Sequence, residues 1–126
     1  MIVVKRDDVE RKALPGRMIQ LVVGTKDAVS SSEVMTMGFA TYSSESGPME
    51  PHHHVEEIVY VLRADKGWVR HGGTGAVPNE LRAPVPLSEG MILHIPDQEW
   101  HVFEYEEGGS IEIVFFYAQP DVYGRK

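Results

Sequence analysis

The sequence contains no cysteine, which excludes disulfides, thiolate zinc sites and cysteine nucleophiles together. Any metal would have to be held by histidine nitrogens and carboxylate oxygens. Basic charge is also scarce: 12 Lys and Arg stand against 19 Asp and Glu, for a formal net charge of −7. Such a surface repels phosphate backbones and anionic lipid heads, so neither nucleic acid nor membrane is an expected partner. No apolar run approaches the roughly 20 residues needed to cross a bilayer. The opening stretch MIVVKRDDVERKA lacks the basic flank, apolar core and cleavage site of a signal peptide, so the expected location is cytoplasmic. Helical composition is confined to KRDDVERKAL (5–14), short enough for a single turn or an extended arm. No phosphate loop of the GxxxxGK[ST] type and no serine-hydrolase turn is present, and GGTGAVP lacks the lysine that would make it a phosphate cradle.

What the chain does have is strands. RMIQLVVG (17–24), EVMTMGFATY (33–42), EEIVYVLR (56–63), GWVRHG (67–72), GMILHIP (90–96), EWHVFEY (99–105) and SIEIVFFYA (110–118) are each strand-sized and rich in β-branched and aromatic residues. Several alternate with period two, as a strand with two unlike faces does. Between them SSESGP, RADKG, GGTGAVPNE, PDQ and EEGG read as turns. Seven or more such strands predict an all-β sandwich or barrel, and the length of 126 residues predicts one domain spanning 1–126. Within it, residues 1–24 read as an N-terminal arm and strand that can add to a neighbouring sheet. Residues 72–86 read as a long loop, placed to act as a lid.

Half of the six histidines stand together in PHHHVEE (51–57). On an extended chain His52 and His54 project from one face while His53 points away. Glu56 and Glu57 follow at once, and His101 comes much later, where a strand paired across the fold can present a further ligand. Imidazoles plus a carboxylate, with no thiolate, suit a divalent iron, manganese, nickel, copper or zinc ion. The alternative is that adjacent histidines in a polar loop are merely solvated. Around the cluster, His94 reads either as a packed core residue or as a group that moves protons. Tyr60, Trp68, Phe103, Phe115 and Tyr117 are candidates to line the interior, with Tyr60 or Tyr117 able to offer a phenol to a ligand. Arg70, if inward, would clamp a carboxylate or phosphate on a substrate. The catalytic candidates are therefore His94, Tyr60 and Arg70.

In order and spacing these residues resemble the cupin superfamily, whose first motif is G-x5-H-x-H-x(3,4)-E-x6-G and whose second is G-x5-P-x-G-x2-H-x3-N. Gly47, His52, His54 and Glu57 match the first in order, with four residues rather than five between Gly47 and His52; Gly90, Pro96 and His101 follow the second, with Gln98 in place of its inner glycine and Tyr105 in place of its closing asparagine. The resemblance implies an antiparallel jelly-roll barrel, a homodimer, and a metal held by His52, His54, Glu57 and His101. Only two residues separate His54 from Glu57, where the family has three or four. Either a shorter loop still brings these four together, or the ligand set is irregular and draws on Glu56 or His53. The function implied is that of a metal-dependent enzyme acting on a small organic molecule, dioxygenase-type first, with isomerase, decarboxylase and lyase chemistry beside it. The rival is a module that binds its small molecule without turning it over.

Overall fold

The computed structural model of the chain describes residues 1–118; residues 119–126, the end of the expected domain, lie outside the described residues. After a 3-10 turn at Arg6–Asp8 come β1 (Lys12–Leu14), β2 (Arg17–Gly24), β3 (Ser30–Ser31), β4 (Thr36–Ser43), β5 (Glu57–His71), β6 (Val85–Pro86), β7 (Ile92–Ile95) and β8 (His101–Tyr117). The strands join in the order β1-β2-β4-β8-β5-β6, with β3 on β2 and β7 on β5. All pairings are antiparallel except β2 with β3. The all-β, antiparallel expectation is met. Hydrogen bonding does not close the sheet into a ring, because the path is open at β1 and β6. Among the described residues no helix is long and apolar enough to cross a membrane.

One correction explains how the site is built. RADKG and EEGG, read as turns between separate strands, lie inside β5 and β8. Asp65 pairs with Ser110 and Gly67 with Tyr105, so Lys66 alone opposes residues 106–109. Lys66 (φ 56°) and Gly108 (φ 82°) are both left-handed there, and such a mismatch bends a ladder sharply. A side chain at Gly109 would bring its Cβ to 2.6 Å from the Asp65 carbonyl oxygen, so glycine lets the two backbones close up. Glycine and charged residues thus mark a corner, where sequence statistics report only a break. Glu57 pairs with Tyr117 at one end of this ladder and His71 with His101 at the other. Fourteen residues of straight strand would hold Glu57 and His101 about 45 Å apart. Instead Glu57 Oε1 lies 3.6 Å from His101 Nε2. The ribbon is folded back on itself.

The core fills the inside of this fold with Val59, Val61, Val69, Val102, Phe103, Ile111, Ile113 and Phe115. At the other end, β2 pairs with β4 of its own chain, and the preceding arm is fastened to the sheet. The Arg6 guanidinium donates to Gln20 Oε1 at 3.0 Å and meets Glu112 Oε2 at 2.6 Å, and it lies 4.3 Å from the centre of the Phe39 ring. Buried Gln20 returns hydrogen bonds to the carbonyls of Arg6 and Val9. Residues 72–86 include β6 and run along β5: Arg82 N–H donates to the His71 carbonyl and Trp100 N–H to that of Gly73.

Candidate metal centre

His52 and His101 exchange both backbone hydrogen bonds, at 3.0 and 2.9 Å. That bridge sets the two side chains on one face, and strand alternation adds His54. The ring centres are 4.3 Å apart for His52 and His101, 5.3 Å for His52 and His54, and 5.0 Å for His54 and His101. One ligating nitrogen from each of the three lies within 4.8 Å of the others. Glu57 Oε1 stands 3.5 Å from His54 Nε2 and 3.6 Å from His101 Nε2. Tyr117, its ladder neighbour, has its hydroxyl 3.4 Å from His54 Nε2.

The tautomers are fixed by the backbone. The Nδ1–H of His52 donates to the Glu50 carbonyl, that of His54 to Val55, and that of His101 to Glu99. Each ring therefore keeps Nε2 as its lone-pair nitrogen, as imidazole ligands of metals are oriented by an acceptor behind them. Burial keeps the rings neutral: His52 is lowered to about 4 and His101 to about 3, the neighbouring imidazoles adding to the effect. His54 is lowered by burial too. Burial pushes the Glu57 carboxyl up to about 8, against the opposing pull of the Tyr117 hydroxyl and the Arg17 charge. Desolvation of this kind raises acids and lowers imidazoles alike.

A transition ion fits this donor set. The buried Nε2 of His101 has no hydrogen-bond partner, an arrangement costly to leave unmade. Three neutral imidazoles and one carboxylate with no thiolate are ligands for a first-row divalent ion.

Beside the imidazoles opens a cavity of about 630 Å³, lined by Ile19, Leu21, Ala40, Met49, Phe103, Phe115 and Tyr117 and edged by Arg17, His52, His54 and Glu57. Residues 72–86 do not line it. Of the aromatic candidates, Phe103, Phe115 and Tyr117 face it, whereas Trp68 donates from Nε1 to Glu104 Oε1 elsewhere. The catalytic candidates are not brought to it. Tyr60 is 40% exposed on the opposite face of β5, since Glu57, Val59 and Val61 take the inward positions of the alternation. His94 is exposed and pairs through Nε2 with Glu56 at 2.6 Å. Arg70 lies 3.8 Å from Glu104 and donates to the Arg82 carbonyl. Glu56 does not line the cavity; His53 does, but it is not among the converging imidazoles, since its ring stacks on Trp100 at 3.8 Å and donates to the Gln98 carbonyl. Arg17 and Thr36 line the cavity without having been singled out from the sequence. The period-two run Arg17, Ile19, Leu21 was the available signal, a cation on the apolar face of a strand.

The two substituted positions of the second motif have structural roles. Gln98, where the motif has glycine, is left-handed with φ 66°, and its N–H donates to the His54 carbonyl at 2.7 Å. Tyr105, where the motif has asparagine, donates from its hydroxyl to the Gly47 carbonyl at 3.0 Å, tying one motif to the other.

No protein-family model matches the chain, and no curated protein matches it. Solved structures do. The polyketide cyclase RemF from Streptomyces resistomycificus superposes with a TM-score of 0.71 at 21% identity, over 93% of this chain and 78% of that one. Hydroxypropylphosphonic acid epoxidase from S. wedmorenis gives 0.65 at 14%, over 93% of this chain and 59% of its own. Lactobacillus farciminis oxalate decarboxylase gives 0.67 at 14%, over 90% of this chain and 32% of its own. The chain thus spans most of the cyclase but less than two thirds of the other two. With the folded ladder, the two histidine-bearing motifs and these superpositions together, the chain has the cupin fold.

Proposed function

We propose that the protein is a metal-dependent enzyme acting on a small organic molecule, with His52, His54, His101 and Glu57 as the ligands of a divalent transition ion. The observation that carries this reading is the unpartnered, buried Nε2 of His101 facing a carboxylate shared with His54. A bound ion would supply Lewis acidity and, if redox-active, electrons for oxygen chemistry. The chain's own residues do the rest. Glu57 brings the negative charge that favours a dication, and the carbonyls behind the three imidazoles hold their Nε2 atoms toward one point. Tyr117 keeps an exchangeable proton 3.4 Å from His54 Nε2. The apolar walls exclude water from a ligand lying against them, which strengthens every polar contact inside.

Dioxygenase-type chemistry is the first reaction to test. Cyclisation, epoxidation and decarboxylation, the activities named for the similar cyclase, epoxidase and decarboxylase, stand beside it. Protein purified without added metal should carry close to one equivalent of a transition ion. A panel of catechols, dicarbonyls and keto acids, followed by oxygen uptake and product analysis, tests turnover. Undiminished metal in a His52/His54/His101 triple alanine variant would end the metal reading; ligand-induced stabilisation with no turnover would favour a binding module.

A further inference from the structure

We propose that the cavity takes an organic carboxylate with an apolar, ring-sized body, its carboxylate held by the guanidinium of Arg17. The inference rests on the cavity being the ligand site of the reading above, and not on an ion being present.

Arg17 is the first residue of β2 and is rigidly placed. The Pro15-Gly16 turn before it requires a left-handed residue, which Gly16 supplies with φ 83°. A Cβ on Gly16 would stand 2.8 Å from Met49 Cα, and its N–H donates to the Ser46 carbonyl at 3.2 Å. The turn is thus packed directly on the segment that leads into His52. Alternation then sets Arg17, Ile19 and Leu21 along the cavity wall. The Arg17 charge reaches His52, His54 and Glu57, each of which it lowers.

Arg6, Arg11 and Arg70 each have a glutamate partner. Arg17, like Arg63 and Arg82, has no ion pair among the described residues, and of these three it is the one that lines the cavity. Its one hydrogen bond is to the Pro15 carbonyl at 3.3 Å. At the far end of the same wall, opposite the Arg17 end, the cavity is lined by Thr36 and Lys26. Between the two ends stand Ile19, Leu21, Ala40 and Phe115. A wall with a guanidinium at one end and an apolar stretch beyond it matches an acid with a flat or elongated body, and Lys26 at the other end makes the Arg17 variants the discriminating ones. A volume of about 630 Å³ is of the size that encloses such a molecule. A guanidinium presents a planar fork to a carboxylate, which a point charge does not.

The test is calorimetric titration of the full chain, both chelator-treated and loaded with Zn²⁺. The probes are 2-naphthoate, phenylpyruvate and decanoate, each against its neutral amide. At least one acid should bind roughly tenfold or more tighter than its amide, as expected for a charge-assisted hydrogen bond. Arg17→Gln should reduce that preference to within about twofold, and Arg17→Lys should keep part of it. Acids and amides binding alike to the unaltered chain, an undiminished preference in Arg17→Gln, or no binding by any of the three acids would each overturn the proposal. Circular dichroism confirms that each variant is folded, and the acid-to-amide ratio in the unaltered chain decides the matter should Arg17→Gln fail to fold. Metal stoichiometry is read separately. Acid preference in protein that takes up no ion would sink the metal reading and leave this one standing.

Discussion

The six histidines divide into three that converge and three that do not, and the division follows their carboxylates. His71 and His94 each have a glutamate of their own at 2.6 Å, and His53 is satisfied by a carbonyl and a stacked indole. His52, His54 and His101 have one carboxylate among them, standing beyond hydrogen-bond reach of both nitrogens it faces. The first group lies at the surface in settled pairs. The second turns inward, with His54 and His101 buried and one ligating nitrogen from each of the three within 4.8 Å of the others. Sequence proximity is no guide to membership, since His53 lies between two of the converging residues and His101 comes from the far end of a different strand.

The largest effect should come from crossing that division. His101→Ala should weaken ion binding by at least about 100-fold, more than the loss of a mere orienting partner. His94→Ala, which breaks an exposed pair, should leave affinity within about twofold. Titration of the chelator-treated protein with Zn²⁺ measures both. Equal losses would erase the distinction.

Next is the corner that brings the converging set together. Gly109→Ala places a methyl against the Asp65 carbonyl oxygen and should cost about 2–3 kcal/mol by denaturant unfolding. If the corner assembles the centre, ion affinity should fall in the same variant.

Protons distinguish the groups more gently. Glu57, raised to about 8 from an ordinary 4.5, holds a proton in the folded chain that the unfolded chain releases. Its contribution is full below pH 4.5 and lost as pH rises through 8. His52 and His101, lowered to about 4 and 3 from 6.5, contribute fully above pH 6.5, and that contribution is lost as pH falls through their folded values. Metal-free protein should therefore be most stable near pH 6.5, declining by about 2 kcal/mol toward pH 8. In Glu57→Gln that alkaline decline should flatten. Calorimetry in two buffers of different ionisation enthalpy should also find close to one proton released on ion binding at pH 7, and none in Glu57→Gln.

The smallest effect concerns the residue that braces His54. Gln98→Gly relieves a left-handed side chain and should stabilise the fold by about 0.5–1 kcal/mol, seen as a rise in melting temperature. No change would mean that the glutamine side chain compensates locally.

Strand composition and period were legible, and the RMIQLVVG stretch coincides with β2. So was the facing of His52 and His54, which needs only a two-residue repeat. The parity of β5 was equally available: with Glu57 inward, Tyr60, three residues on, has to face out. What local pattern could not convey is long-range. RADKG and EEGG carry turn chemistry, and only their pairing with each other makes them a bend within a continuous ladder. Arg17 belongs to no motif, and its place beside His52 depends on a hairpin turn seated on Met49.

The fold-back of β5 on β8 has a mechanical corollary for a chain without cysteine. An ion shared by Glu57 and His101 would be a clasp between positions about 44 residues apart, and closing a loop of that length restricts the denatured ensemble as a covalent cross-link does. Chelation would then act on this protein much as reduction acts on a secreted one, unlatching the two ends of a single ribbon.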